Sequence, residues 1–254
     1  MTPTTPAWVD SHPKPRDIRR TQVLDKGLGH RQVNDMLEVA GHLIDLVKLG
    51  WGTALVTGQL EEKVALYREA GIELCLGGTL LEVYSHRGEV DQFEDLINEL
   101  GLSHVEVSDG TIELPIEEKV ALISRFAENF TVYSEVGQKD PDVVVTPAKW
   151  VRAIQAELEA GASKVILEGR ESGTAGMYRT GGEIRMGLID EILDAGISPE
   201  KLIFEAPNKA SQTWFIRHIG VDVNLANVLP DDVIPLETLR LGLRADTLLD
   251  IHGG

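Results

Sequence analysis

One cysteine, no long apolar run and a shortage of positive charge mark this 254-residue sequence first by what it excludes. The lone Cys75 leaves no disulfide framework and no cluster of thiolate metal ligands, and its place inside an apolar run reads as a buried structural residue. Nothing approaches the roughly 18 consecutive apolar residues of a membrane span. The first residues lack an apolar signal core, so the expected location is the cytoplasm. Lys and Arg number 24 against 41 Asp and Glu, a formal charge of -17. That balance argues against nucleic acid and against membrane surfaces as partners, because both need a basic stripe to neutralise phosphates. A small anionic substrate would need a positive site that is local.

What is present is an ordinary globular composition, 43% apolar and 26% charged, so a folded domain is expected for most of the chain. The length suits one domain around one core. Residues 1–20 combine Pro3, Pro6, Pro13 and Pro15 with Arg16, Arg19 and Arg20, a composition that predicts a weakly ordered arm ahead of a domain over 21–254.

From Thr21 onward, short apolar or β-branched runs alternate with longer segments of helical period, the pattern of parallel strands joined by crossover helices. The predicted strands are Thr21–Leu24, Leu43–Lys48, Ile72–Leu76, His104–Val107, Thr131–Ser134, Lys164–Leu167, Leu202–Phe204 and Val223–Leu225. Segments such as Ile116–Ala127 and Ala148–Ala160 place apolar residues three and four apart, as one buried helix face requires. Five helices end in the same way, at Gly71, Gly101, Gly161, Gly196 and Gly220, each followed by an apolar residue. Eight units fit an α/β fold of the (β/α)8 TIM-barrel type better than an open sheet, which has fewer strands and one switch point.

In such barrels the chemistry sits where strands hand over to loops, because side chains from all strands converge there on one mouth. Charged groups beside buried strand ends are costly unless paired or ion-bound, so acids and bases repeated at these exits suggest a working site. Glu135, Glu168 and Glu205 follow three successive strands, and convergent carboxylates without a His or Cys set suit a hard ion such as Mg2+. Lys26, Lys48, Lys139 and Arg170 form the opposing set, able to bind carboxylate or phosphate. A lysine desolvated beside other cations would have a lowered pKa and could act as acid or base, but spacing does not single one out. Asp25, Thr79, Asp109 and Ser172 are further exit residues suited to substrate contact, and Asn224 and Asn227 lie where barrels often bind phosphate.

Read together, the exits form a signature. Val23-Leu24-Asp25-Lys26-Gly27, Val47-Lys48-Leu49-Gly50-Trp51-Gly52-Thr53, Gly77-Gly78-Thr79-Leu80, Val105-Glu106-Val107-Ser108-Asp109-Gly110, Glu135-Val136-Gly137, Glu168-Gly169-Arg170-Glu171-Ser172-Gly173, Phe204-Glu205-Ala206-Pro207 and Val223-Asn224-Leu225-Ala226-Asn227 resemble the phosphosulfolactate synthase family, as does Leu236–Arg244. The resemblance runs in order from about Thr21 to Thr247. It implies a barrel that adds sulfite to phosphoenolpyruvate, with Mg2+, to give 2-phospho-3-sulfolactate on the route to coenzyme M or sulfolactate. It also points to the lysine after the Glu-Val-Gly turn, here Lys139, as the general acid; Lys48 and Lys26, read from the strand exits, are the other catalytic candidates. The preceding position, often a second lysine in the family, is Gln138. The family includes relatives linked to heat-stress tolerance, so a non-catalytic binding role is the alternative, and the same enolate chemistry with another nucleophile is a third reading. The acidic exterior and exposed helix faces suit a homo-oligomer.

Overall fold

Eight short parallel strands make one sheet: β1 Thr21–Asp25, β2 Leu46–Leu49, β3 Glu73–Leu76, β4 His104–Val107, β5 Thr131–Val136, β6 Lys164–Leu167, β7 Leu202–Glu205 and β8 Leu225–Val228. The structure, a computed structural model, describes residues 6, 9, 13–112, 114–137, 145–169, 172–179 and 181–253. The strand order β3-β2-β1-β8-β7-β6-β5-β4 joins the first strand to the last, so the sheet curls on itself. At the remaining seam, between β3 and β4, side chains bridge the gap. His104 Nε2 lies 3.2 Å from Glu73 Oε2 at one end, and the Gly78 amide donates to Glu106 Oε1 at 2.7 Å at the other. The result is the expected single-domain (β/α)8 TIM-type barrel.

Around it run α1 His30–Ala40, α2 Leu60–Glu69, α3 Gly78–His86, α4 Val90–Glu99, α5 Ile116–Ala127, α6 Pro147–Glu159, α7 Met186–Asp194, α8 Lys209–His218, α9 Val233–Arg240 and α10 Leu248–His252. Their ends follow local chemistry. Glu117 and Glu118 sit in the first turn of α5, where carboxylates favour the helix dipole, and Pro147 opens α6. Asn208 caps α8 by accepting from the Ser211 amide at 3.0 Å. All five exit glycines named from the sequence have positive φ, from 61° at Gly101 to 125° at Gly220, which is why glycine ends each helix. None of the described helices is long and apolar enough to cross a membrane.

Side chains alternate across each strand, so the barrel wall has two faces. Val23, Val47, Val105, Val132, Val165 and Phe204 face outward and pack with the helices. Leu46, Cys75, Tyr133, Ile166, Ile203 and Ala226 fill the barrel interior as a separate apolar layer. One period of two further along, the inward residue is Lys48 after Leu46, Glu135 after Tyr133, Glu168 after Ile166 and Glu205 after Ile203. Strand register alone therefore stacks a charged layer directly above an apolar one.

Below the apolar layer, residues 13–20 close the barrel base, which moves the boundary placed at Thr21 by composition. Arg16, Arg19 and Arg20 are all buried. Arg16 grips Asp45 with two bonds, at 2.9 and 2.7 Å, Arg19 pairs with Glu237 at 2.6 Å, and Arg20 pairs with Glu73. Burial of these ion pairs ties down a segment whose composition reads as an arm. Arg240 on α9 adds bonds to Thr21 Oγ1, the Arg20 carbonyl and the Val223 carbonyl. Two strands also shift from their predicted spans. β2 begins at Leu46 because Gly41–Leu43 form a 3-10 turn, and β8 runs Leu225–Val228. The second shift carries Asn224 to the base, where it accepts from the Arg20 amide and donates to the Leu202 carbonyl at 3.0 Å. Asn224 is thus a structural residue rather than a phosphate ligand.

Candidate active site

A cleft of about 310 Å3 opens at the C-terminal ends of the strands. Lys48, Glu106, Glu135, Glu168, Glu205 and Asn227 line it, together with Trp51 and the first turn of α3 at Gly77, Gly78 and Thr79. Lys48 Nζ lies 3.2 Å from Glu106 Oε2, 3.3 Å from Glu205 Oε1 and 3.9 Å from Glu135 Oε2. Burial by itself would lower the Lys48 pKa, but the charges of Glu106, Glu205 and Glu135 outweigh it and hold the ammonium well above the usual lysine range. The sequence reading allowed a lysine made acidic by neighbouring cations; Lys48 is the opposite case, a cation locked in its charged form by acids. Burial, the largest influence, pushes the Glu106 carboxyl up, with the nearby Glu135 and Glu205 charges adding to it against Lys48 and the Gly78 amide.

Local backbone fixes these groups. A Cβ at Gly78 would sit 2.5 Å from Ser108 Oγ, so only glycine lets this amide come within reach of Glu106. Glu205 is held from its far oxygen by the Gly169 amide at 2.8 Å. Asn227 adopts a left-handed backbone, φ 55°, within β8, and its buried Oδ1 has no hydrogen-bond partner among the described residues. A non-glycine residue in that conformation carries strain of the kind concentrated at functional sites.

The other predicted site residues fall elsewhere. Asp25 is fully buried behind the wall, accepting from the Gly27 and Leu28 amides and Tyr67 Oη at 2.8 Å and pairing with Lys63 at 2.6 Å. With both oxygens engaged, it braces the loop carrying Lys26 and does not face the cleft. Lys26 is exposed at the rim, its ammonium 5.5 Å from the centre of the Trp51 ring. Asp109 turns to Lys119 at 2.8 Å, and Ser172 is exposed and bonded to Thr174. Lys139 and Arg170 lie outside the described residues. Thr79 and Asn227 do line the cleft.

The structure brings the three glutamates of the expected metal set into one cleft. Glu135, Glu168 and Glu205 share the cleft, yet among the described residues no three His, Cys, Asp or Glu side chains group as a metal cage. Lys48 already pairs with Glu205 inside this cluster, at 3.3 Å. A carboxylate-rich lining with an orphaned amide oxygen, and no His or Cys among its described residues, still fits a hard divalent ion that takes only one or two carboxylates and completes its shell with substrate and water.

Sequence reasoning named Glu106 as an exit residue but left it out of the carboxylate set, and missed Lys63, Lys119 and Glu82 altogether. Glu82 on α3 accepts from the Thr111 and Ile112 amides at 2.7 and 2.9 Å and so fixes the loop after β4. A signal for the two lysines existed: Glu-Glu-Lys-Val-Ala-Leu occurs at both 61–66 and 117–122. In each copy the lysine is the fourth helical residue and is buried against an aspartate at a strand exit.

Comparison with known proteins agrees with this architecture. The solved structure of 3-hexulose-6-phosphate synthase from Salmonella typhimurium superposes with a TM-score of 0.57, covering 92% of this chain and 100% of that one at 14% identity, a likeness of fold alone. Phosphosulfolactate synthase of Bacillus subtilis is 43% identical over 236 residues, 92% of this chain and 94% of the relative. The protein of the same name from Methanothermobacter thermautotrophicus is 42% identical over 241 residues, 92% of this chain and 93% of the relative. A family profile described as (2R)-phospho-3-sulfolactate synthase (ComA) matches residues 10–246. With nearly the whole barrel covered by profile and relatives alike, this chain belongs to the phosphosulfolactate synthase family.

Proposed function

We propose that the protein catalyses Mg2+-dependent addition of sulfite to phosphoenolpyruvate, giving 2-phospho-3-sulfolactate. The observation that carries this reading is the buried Lys48 ammonium held among glutamates in the barrel mouth of a chain from this family. In the reaction the sulfur lone pair attacks the methylene carbon and forms the carbon–sulfur bond. The double-bond electrons move to the middle carbon and into its carboxylate, and a proton then adds at the middle carbon. Nothing departs, so the phosphate ester survives.

Each residue then has a task. Lys48, charged throughout, offsets the negative charge that grows on the carboxylate, a contribution that is large in a cleft screened from water. Lys139 delivers the proton, as the resemblance implies, and Arg170 neutralises an anionic group of the substrate. Lys26 at the rim attracts the incoming anion, while Thr79 and Asn227 orient it. Glu135 and Glu168 would hold Mg2+ with the Asn227 amide oxygen, and the ion would supply Lewis-acid stabilisation of the dianionic intermediate.

Phosphorus NMR of protein, Mg2+ and phosphoenolpyruvate tests the proposal. A new organophosphate signal is expected only when sulfite is present, without inorganic phosphate. A signal that needs a different nucleophile would assign another addition reaction, and no signal with any nucleophile would favour the binding role. Lys139→Ala is expected to abolish turnover and leave the circular dichroism spectrum unchanged.

A further inference from the structure

Lys119 lies outside the cleft, on the far side of the barrel wall, yet it grips the strand that carries Glu135. It is the fourth residue of α5 and is buried. Its ammonium has three protons and meets three acceptors: the Glu135 carbonyl at 2.6 Å, Asp109 Oδ1 at 2.8 Å and Glu157 Oε1 at 2.8 Å. These belong to the end of β5, the loop after β4 and helix α6. We propose that Lys119 is a positioning residue for the reaction, fixing the exit of β5 from behind so that the Glu135 carboxylate stays in place opposite Lys48.

Packing alone gives no reason for this arrangement. Replacing a buried ion pair by apolar side chains of similar volume is often neutral or stabilising, because the charges no longer have to leave water. What an apolar side chain cannot do is bond to the Glu135 carbonyl. Inside the wall, the Glu135 carboxylate lies 3.9 Å from Lys48 Nζ, a distance set by where the β5 backbone stands. Two residues beyond Glu135 the described chain reaches Gly137, and the sequence then leads to Lys139. One bond from Lys119 thus anchors the strand end that carries Glu135. The twin lysine, Lys63, makes the comparable pairing with Asp25 and braces the loop of Lys26.

The kinetic part of the test rests on the proposed reaction; the structural part does not. Lys119→Met/Glu157→Met removes the donor without leaving Glu157 as an uncompensated buried charge. Hydrogen exchange at Ser134–Gly137 is expected to rise about tenfold, the equivalent of one charged hydrogen bond, with the rest of the barrel unchanged. With phosphoenolpyruvate and sulfite, kcat is expected to fall about 100-fold, the effect of misplacing a reacting group by an ångström, while KM for phosphoenolpyruvate stays within about twofold. A purely structural role would lower the melting temperature and leave both readouts alone. Wild-type exchange at Ser134–Gly137, or wild-type kcat in the folded variant, overturns the proposal. If the unmodified protein shows no turnover, the proposed reaction fails and exchange alone decides the role of Lys119. Lys119→Gln/Glu157→Gln, which keeps the polarity, provides the same readouts if the methionine variant does not fold.

Discussion

The two ends of this barrel bury charge in opposite ways. At the base, Arg16, Arg19 and Arg20 each meet an acid, Asp45, Glu237 and Glu73, and Arg240 lies 3.7 Å from Glu237 as well, so nearly every cation has its own carboxylate. At the mouth, Lys48 is the single ammonium among the described residues that line the cleft with Glu106, Glu135, Glu168 and Glu205. Both ends bear the desolvation cost of buried ions, but at the mouth one ammonium is shared among several carboxylates. Balanced pairs complete the fold. A shared cation leaves the mouth open to a ligand, and an anionic one calls for further positive groups: a metal ion, or side chains from neighbouring loops.

The contrast breaks most sharply at Arg16. Arg16→Met leaves Asp45 buried without its partner and is expected to cost about 3 to 5 kcal/mol of stability by chemical denaturation, with kcat of the folded fraction retained. Lys48→Met is the reciprocal experiment. It is expected to lower kcat/KM about 100- to 1,000-fold, as removal of one preorganised charge-stabilising group does in other enzymes, measured by steady-state kinetics. If Lys48→Met cost only stability, the mouth would be a second structural end.

A smaller effect separates strain from support. Asn227→Gly is expected to raise stability by about 1 kcal/mol by relieving the left-handed backbone, and to reduce turnover through loss of the amide. Parallel melting and activity assays check the two signs. The smallest effect lies at the base of the β3–β4 seam. Burial, the largest influence there, lowers the His104 pKa from its ordinary 6.5, against the Glu73 charge and in concert with Arg20. The folded protein therefore takes up this proton less readily than the unfolded chain. The His104 contribution is full above pH 6.5 and is lost as pH falls through the depressed folded value. His104→Gln is expected to remove that acid-side slope from a series of melting curves.

Much of the barrel was legible because strands and helices write different periods. β4 and β6 match their predicted residues, as does α5, since apolar residues recur at the period of a strand or of a helix in each. Glu135, Glu168 and Glu205 could be placed at the mouth by counting two residues on from an inward apolar side chain. Long-range pairing could not be read this way. Asp25 and Asp109 look like site residues at strand exits, and only three-dimensional contact shows Lys63 and Lys119 claiming them from helices. Those lysines follow two glutamates, which makes them look solvent-facing. Arg16, Arg19 and Arg20 were hidden for the same reason, because Asp45, Glu73 and Glu237, their partners, are distant in sequence.

The grip of α9 on the barrel base sets an order of events during synthesis. Thr21 and Arg240 are joined across 219 positions, and Arg19 waits for Glu237 across 218. All eight strands can emerge from a ribosome while Arg19 still lacks its acceptor and Thr21 its donor. The base can be locked only after α9 has cleared the exit tunnel, so a nascent chain stalled before residue 237 is expected to remain open at that end and sensitive to protease.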